Sequence, residues 1–199
     1  MVALHAITCS VERSSRIALM GRSGSGKSTL LQLMAGLDHS TSGTVEWPLW
    51  NESPFGHPDR VGMVFQEASL IPGLSALDNA AFPLLIKGVA YEEATARAAE
   101  AMALLGIEGV SRQSPDELSG GQAQRVAVAR VITVEPDLIL ADEPTGKLDR
   151  ATGAGVIDLL LEASAHVGAG LVVSTHDREV ASRMNEIWSL HDGELDAGR

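Results

Sequence analysis

Gly21-Arg22-Ser23-Gly24-Ser25-Gly26-Lys27-Ser28 lies between an apolar run, Arg16 to Met20, and a helix-periodic run, Lys27 to Ala35, that carries Leu30, Leu31, Leu33 and Met34 and closes at Gly36. The order strand, glycine-rich turn, helix decides the fold. Glycines let the backbone curl so that successive N–H groups point at phosphate oxygens. The helix starting near Lys27 adds the positive end of its dipole. In such a P-loop, Lys27 reaches the β- and γ-phosphates of a nucleotide and the Ser28 hydroxyl goes to Mg²⁺. The candidate phosphate cradle is Gly21, Arg22, Ser23, Gly24, Ser25, Gly26, Lys27, Ser28 and Thr29. A chance Gly/Ser-rich turn would not bring its own flanking strand and helix.

Downstream, Leu138-Ile139-Leu140-Ala141 is a short apolar run preceded by Pro136, read as a buried parallel strand. Asp142 follows it. A carboxylate at the end of a buried strand is costly unless it meets a cation, so Asp142 is the expected partner of Mg²⁺. Glu143 comes next, placed to orient and deprotonate an attacking water as general base; structural ion pairing is the rival reading. Ser119 and Gln122 form an S-x-x-Q capping box, which accounts for those two residues but not for Gly120 and Gly121 between them. Bare N–H groups at a helix start make an anion site. With the P-loop already on one side of the nucleotide, Ser119, Gly120, Gly121 and Gln122 are expected to act on another subunit's nucleotide. Gln66, at a strand end, and His176, after Leu171 to Thr175, read alone as ordinary polar residues.

Composition narrows the function. The chain has 199 residues, 45% hydrophobic but only 4% aromatic, so aliphatic side chains build one core. The net charge of −11, from 26 acidic and 15 basic residues, opposes nucleic-acid binding. No apolar run approaches the ~18 residues of a membrane span, and no charged-then-apolar leader opens the chain; a cytosolic protein, or one face of a membrane complex, is expected. The lone Cys9 fits a reducing compartment and, with Ile7 and Val11 alternating beside it, a buried strand position. Strands are predicted over 2–11, 16–20, 61–65, 138–141, 171–174 and 187–190. Residues 38–59 are turn-rich, 75–134 helical, and further helices are predicted over 151–165 and 177–183.

In this order and spacing, the P-loop, Gln66, Leu118 to Gln122, Leu140 to Glu143, Leu148-Asp149 and His176 resemble the nucleotide-binding domain of ABC transporters, over about Leu4 to Leu195. The resemblance implies a single ABC ATPase domain over 1–199: an α/β P-loop NTPase core (1–74 and 135–199) with a mostly parallel sheet and a short antiparallel β region, and an inserted helical subdomain (75–134). It also implies ATP and Mg²⁺ as ligands and a head-to-tail dimer in which Ser119 and Gly121 contact the partner's γ-phosphate. His176 would hold the same chain's γ-phosphate, Gln66 would sense Mg²⁺ and the attacking water, and Asp149 would cross the interface. The implied partner is an integral-membrane permease subunit, and the implied location is cytoplasmic, on the inner face of the cell membrane.

Ala141 to Asp149, Leu70 to Asn79 and the ending Arg183-Met184 through Asp192-Gly193 are similar to the lipoprotein-releasing, macrolide-exporter and cell-division branch. The cell-division members imply an alternative, a regulatory ATPase signalling across the membrane rather than transporting. The chain departs from the branch in three places. Lys147 stands where Asn is usual, read as a neutral surface change with an altered dimer contact as the alternative. The aromatic residue that stacks on adenine would fall before Met1; Trp47 and Trp50 are read as packing locally rather than replacing it. Two readings stay open: a truncated or wrongly started chain, or weaker adenine binding, since base–aromatic stacking is worth about 1–3 kcal/mol. The region 43–61 is also shorter than usual, which makes a reduced permease contact an expectation.

Overall fold

The computed structural model describes residues 3–57 and 59–197. Its centre is a six-stranded sheet in the order β2-β3-β4-β1-β5-β6. The strands are β1 (Arg16–Met20), β2 (Val61–Val64), β3 (Leu138–Asp142), β4 (Gly170–Thr175), β5 (Glu186–His191) and β6 (Glu194–Ala197). All neighbours from β2 through β5 pair in parallel, and β5 pairs with β6 antiparallel. Strands buried on both faces need apolar side chains at every position, which is why the inner strands read as unbroken apolar runs. Alternate residues then serve two cores. Ala18, Ile139, Ala141, Leu171 and Val173 join the core under the larger helices. Ile17, Leu19, Leu140 and Val172 join Leu30 and Leu31 of α1 (Lys27–Met34) on the other face.

The stretch predicted to be helical resolves into α2 (Ala76–Ile86), α3 (Tyr91–Leu104) and α4 (Gly120–Ile132). α5 (Arg150–His166) and the short α6 (Arg178–Ala181) follow β3 and β4. α4 lies against α2, α3, α5 and β2, bridging the helical layer and the sheet. Asn79, fully buried on α2, ties down the loop before it. Its amide donates to the carbonyls of Ile71 (3.2 Å) and Leu74 (3.2 Å), and its carbonyl accepts from the Ile71 N–H at 2.7 Å.

One expectation is corrected. The strand predicted over 2–11 is absent among its described residues. Leu4, Ile7, Cys9 and Val11 do pack onto the second core, but the segment reaches the β5–β6 turn through the His5 N–H to the Gly193 carbonyl (2.7 Å) without forming a ladder, and Ala6 turns out of the extended region at φ 46. The stretch 38–59 is turn-rich as expected, with no strand among its described residues, and the short antiparallel β region is the β5–β6 hairpin. β6 was missing from the sequence reading, although the Asp192-Gly193 turn, with φ 48 and 82, is a strong hairpin signal.

Candidate active site

Parallel α/β sheets place their ligands at the carboxyl ends of the strands. The carboxyl ends of β1, β3, β4 and β2 and the loops leaving them carry the P-loop, Asp142-Glu143, His176 and Gln66 respectively, and those strands are neighbours in the sheet.

Within the P-loop, Gly24 and Gly26 take φ 82 and 104. A Cβ at Gly26 would lie 2.7 Å from the Ala3 carbonyl oxygen, and one at Gly21 2.5 Å from that of Leu190, so both glycines are needed for close approach. Gly26 caps α1 without a side-chain acceptor, and no acid occupies the first turn. The N–H groups of Lys27, Ser28 and Thr29 therefore have no intrahelical partner. The Ser25 hydroxyl is buried with no hydrogen-bond partner. Unfilled donors around a curled backbone fit a polyphosphate. Lys27, only 5% exposed, has its ammonium fixed by the carbonyls of Gly21 (2.9 Å) and Arg22 (3.3 Å).

Glu143 is the meeting point. Its Oε1 lies 3.1 Å from Lys27 Nζ, and its Oε2 lies 3.4 Å from His176 Nδ1. Its backbone sits at φ 44, a conformation that non-glycine residues rarely keep without a functional constraint. Ser174, buried on β4 and in register with Asp142, holds both acids. Its hydroxyl donates to Asp142 Oδ1 at 2.5 Å and accepts from the Glu143 N–H at 2.9 Å. Sequence reasoning passed over Ser174, although a hydroxyl directly after the apolar run Leu171 to Val173 is a usable signal. Gln66 meets the turn after Glu143 at Gly146. A Cβ at Gly146 would lie 2.5 Å from Gln66 Nε2 and 3.3 Å from the Glu143 carbonyl oxygen. Ser28 and Asp142 supply a hydroxyl and one carboxylate, and the described residues hold no protein-only cluster of metal ligands. That donor set suits a Mg²⁺ that arrives with phosphates.

Lys27, Glu143, His176, Asp142 and Gln66 are thus brought together, whereas Ser119 to Gln122 are not. Ser119 accepts from the Gln122 N–H (3.3 Å) and donates its own N–H to Gln122 Oε1 (2.9 Å), the expected capping box. Gly121 has a packing reason, since a Cβ there would lie 2.5 Å from Thr152 Cγ2. Asp149 caps α5, accepting from the Ala151 and Thr152 N–H groups at 3.1 Å. The Thr152 hydroxyl bonded to it holds its carboxyl below the usual range. A cleft of about 500 Å³ opens beside this turn, lined by Glu143, Asp149, Thr175, His176 and Asp177 among others but by no P-loop residue.

Trp47 packs near its own stretch, as expected, whereas Trp50 reaches a residue 87 positions away. Trp47 donates to the Met34 carbonyl (2.9 Å) and Trp50 to Asp137 Oδ2 (2.9 Å), with the Arg60 guanidinium 5.7 Å from the Trp50 ring centre. Asp137 precedes β3 and so marks the end of the parallel strands opposite the P-loop. Lys147 lies exposed on the surface and pairs with Glu67, which is also exposed.

This assembly defines a P-loop ATPase cassette, and the ABC transporter family model matches residues 4–146. The chain belongs to the ABC transporter family, as an ATP-binding and ATP-hydrolysing cassette. It is 41% identical to the lipoprotein-releasing system ATP-binding protein LolD of Legionella pneumophila (strain Paris), over 96% of this chain and 88% of the relative. It is also 41% identical to LolD of Alcanivorax borkumensis, over 96% and 87%. Among solved structures it is similar to the dimeric ABC transporter cassette MJ0796, at 36% identity and TM-score 0.85, covering 99% of this chain and 91% of that one. A post-hydrolysis dimer of MJ0796 bound to ADP and Pi aligns at 35% identity and TM-score 0.83, with the same coverage.

Proposed function

We propose that this chain powers a lipoprotein-releasing type of transporter as a head-to-tail dimer docked on an integral-membrane permease at the inner face of the cell membrane. The observation that carries the catalytic part is the convergence of Lys27 and His176 on the two oxygens of Glu143, at 3.1 and 3.4 Å. The similarity to LolD supports the branch.

Without nucleotide, Lys27 and Glu143 neutralise each other. When phosphates enter the cradle, Lys27 turns to them and Glu143 is released to accept a proton from the water attacking the γ-phosphorus. His176 then holds the γ-phosphate from the side opposite the P-loop. Ser28, Asp142 and Gln66 are the residues that would hold Mg²⁺, whose charge would offset that building on the transferred phosphoryl group. Ser174 fixes Asp142 and the Glu143 backbone through this exchange. Ser119 and Gly121 complete the site of the second copy, and Asp149 lies at the junction. A single domain with a core of 1–74 and 135–199 and a signature subdomain of 75–134 fits this division of labour.

The test is a pull-down from native membranes with tagged Glu143→Gln protein and ATP. A membrane protein with a large extracytoplasmic domain supports the proposal, and its sequence separates lipoprotein release from cell-division signalling. Recovery of only soluble proteins, with ATP binding confirmed, contradicts it.

A further inference from the structure

The Gln66 loop is held from two directions. From the helical side, Gln124 donates to the Phe65 carbonyl at 2.8 Å, and Arg130 donates to the carbonyls of Ala68 (3.1 Å) and Ser69 (2.9 Å). These contacts anchor the loop to α4 at Phe65, Ala68 and Ser69 only, on either side of the exposed Gln66 and Glu67. From the catalytic side, Gln66 and Glu67 face Gly146 and Lys147 in matched order. Gly146 has no Cβ to push the Gln66 amide away, and Lys147 forms an ion pair with Glu67. Gly146 is itself tied to the base, its N–H donating to the Glu143 carbonyl at 3.0 Å. An unbroken path therefore runs from the Glu67 carboxylate through Lys147 and Gly146 to Glu143.

We propose that Lys147 and Glu67 are positioning residues for hydrolysis: their ion pair clamps the Gln66 loop onto the turn that carries Glu143. The pair joins two segments 80 positions apart in the chain, and it sits one residue beyond the contact it controls. The clamp rests on the assignment of Gln66 and Glu143 made above. Both side chains are exposed, 57% for Lys147 and 68% for Glu67. Ion pairs of that kind contribute little to global stability, so variants keep the fold and the clamp acts through placement alone. Being exposed, it is also screened by salt.

The experiment compares the parent protein with Lys147→Met, Glu67→Gln and the double exchange Lys147→Glu with Glu67→Lys. Two readouts are taken: steady-state ATP hydrolysis with Mg²⁺, and amide hydrogen exchange over Gln66 to Ser69 without nucleotide. Each single variant is expected to lose about three- to fivefold in kcat, equivalent to roughly 0.7–1 kcal/mol, with KM for ATP unchanged. Each should also exchange faster over Gln66 to Ser69. The double exchange restores both to within about twofold, and raising salt from about 0.05 to 0.5 M slows the parent but not Lys147→Met. Single variants with parental kcat and parental exchange, or a double exchange that restores neither, overturn the clamp. A parent that does not hydrolyse ATP refutes the catalytic assignments instead, and the exchange experiment then still decides whether the pair orders the loop.

Discussion

Removing the Ser174 hydroxyl tests how the two acids are held. Ser174 is fully buried and makes a 2.5 Å bond to Asp142 Oδ1 while accepting the Glu143 N–H at 2.9 Å. Ser174→Ala leaves the Glu143 N–H with the Ser174 carbonyl, at 3.2 Å, so that donor is not orphaned. Asp142 loses a hydrogen bond to a charged acceptor, worth roughly 1.5–3 kcal/mol. A destabilisation of about 2 kcal/mol is expected, which for a chain of this size lowers Tm by about 4–8 °C. Urea denaturation at pH 7.5 measures it. The same variant frees the carboxylate assigned to Mg²⁺. Loss of a group that orients a metal ligand typically costs about tenfold or more in metal affinity, so the Mg²⁺ concentration for half-maximal ATP hydrolysis should rise by about that factor. A stability change below about 0.5 kcal/mol together with an unchanged Mg²⁺ requirement would refute the assignment of Ser174 as the holder of both acids.

Asn79→Ala orphans the Ile71 N–H that the buried amide now satisfies, and should cost about 2–3 kcal/mol in urea denaturation. Gly146→Ala places a methyl against the Gln66 amide, whose flexible end can give way; stability should stay within about 0.5 kcal/mol while kcat falls. Asp149 has its folded-state carboxyl lowered by the Thr152 hydrogen bond. Its stabilisation is therefore complete above the unfolded value near pH 3.9 and disappears as pH falls through the lower folded value. In acid titration followed by urea denaturation, Asp149→Asn should lose that part of the parent's pH dependence.

Much of the site was legible because each motif has a local mechanism. Glycines beside Lys27 curl a phosphate loop whatever surrounds them, and Asp142 after four apolar residues has few destinations but a cation. The capping box at Ser119 and Gln122 formed as its spacing required. Its two glycines were only half explained, because Thr152 lies 31 residues away along the chain and only the folded packing brings it against Gly121. The same limit applies to residues 3–11. Alternation correctly named the inward side chains Ile7, Cys9 and Val11, yet a strand also needs a neighbour, and side-chain period says nothing about hydrogen-bond partners. Lys147 could not be understood from its own surroundings, since its partner is 80 positions away in the Gln66 loop.

The central claim, that Glu143 performs hydrolysis inside an ATP-closed pair of chains, is tested most directly by Glu143→Gln with Mg²⁺ and ATP. Lys27 keeps its carbonyl partners in this variant, so ATP should still bind. Turnover should fall by at least about 100-fold, and sizing by light scattering should give twice the monomer mass only when ATP is present. A variant that hydrolyses ATP at the parental rate, or stays a monomer with ATP bound, contradicts the account.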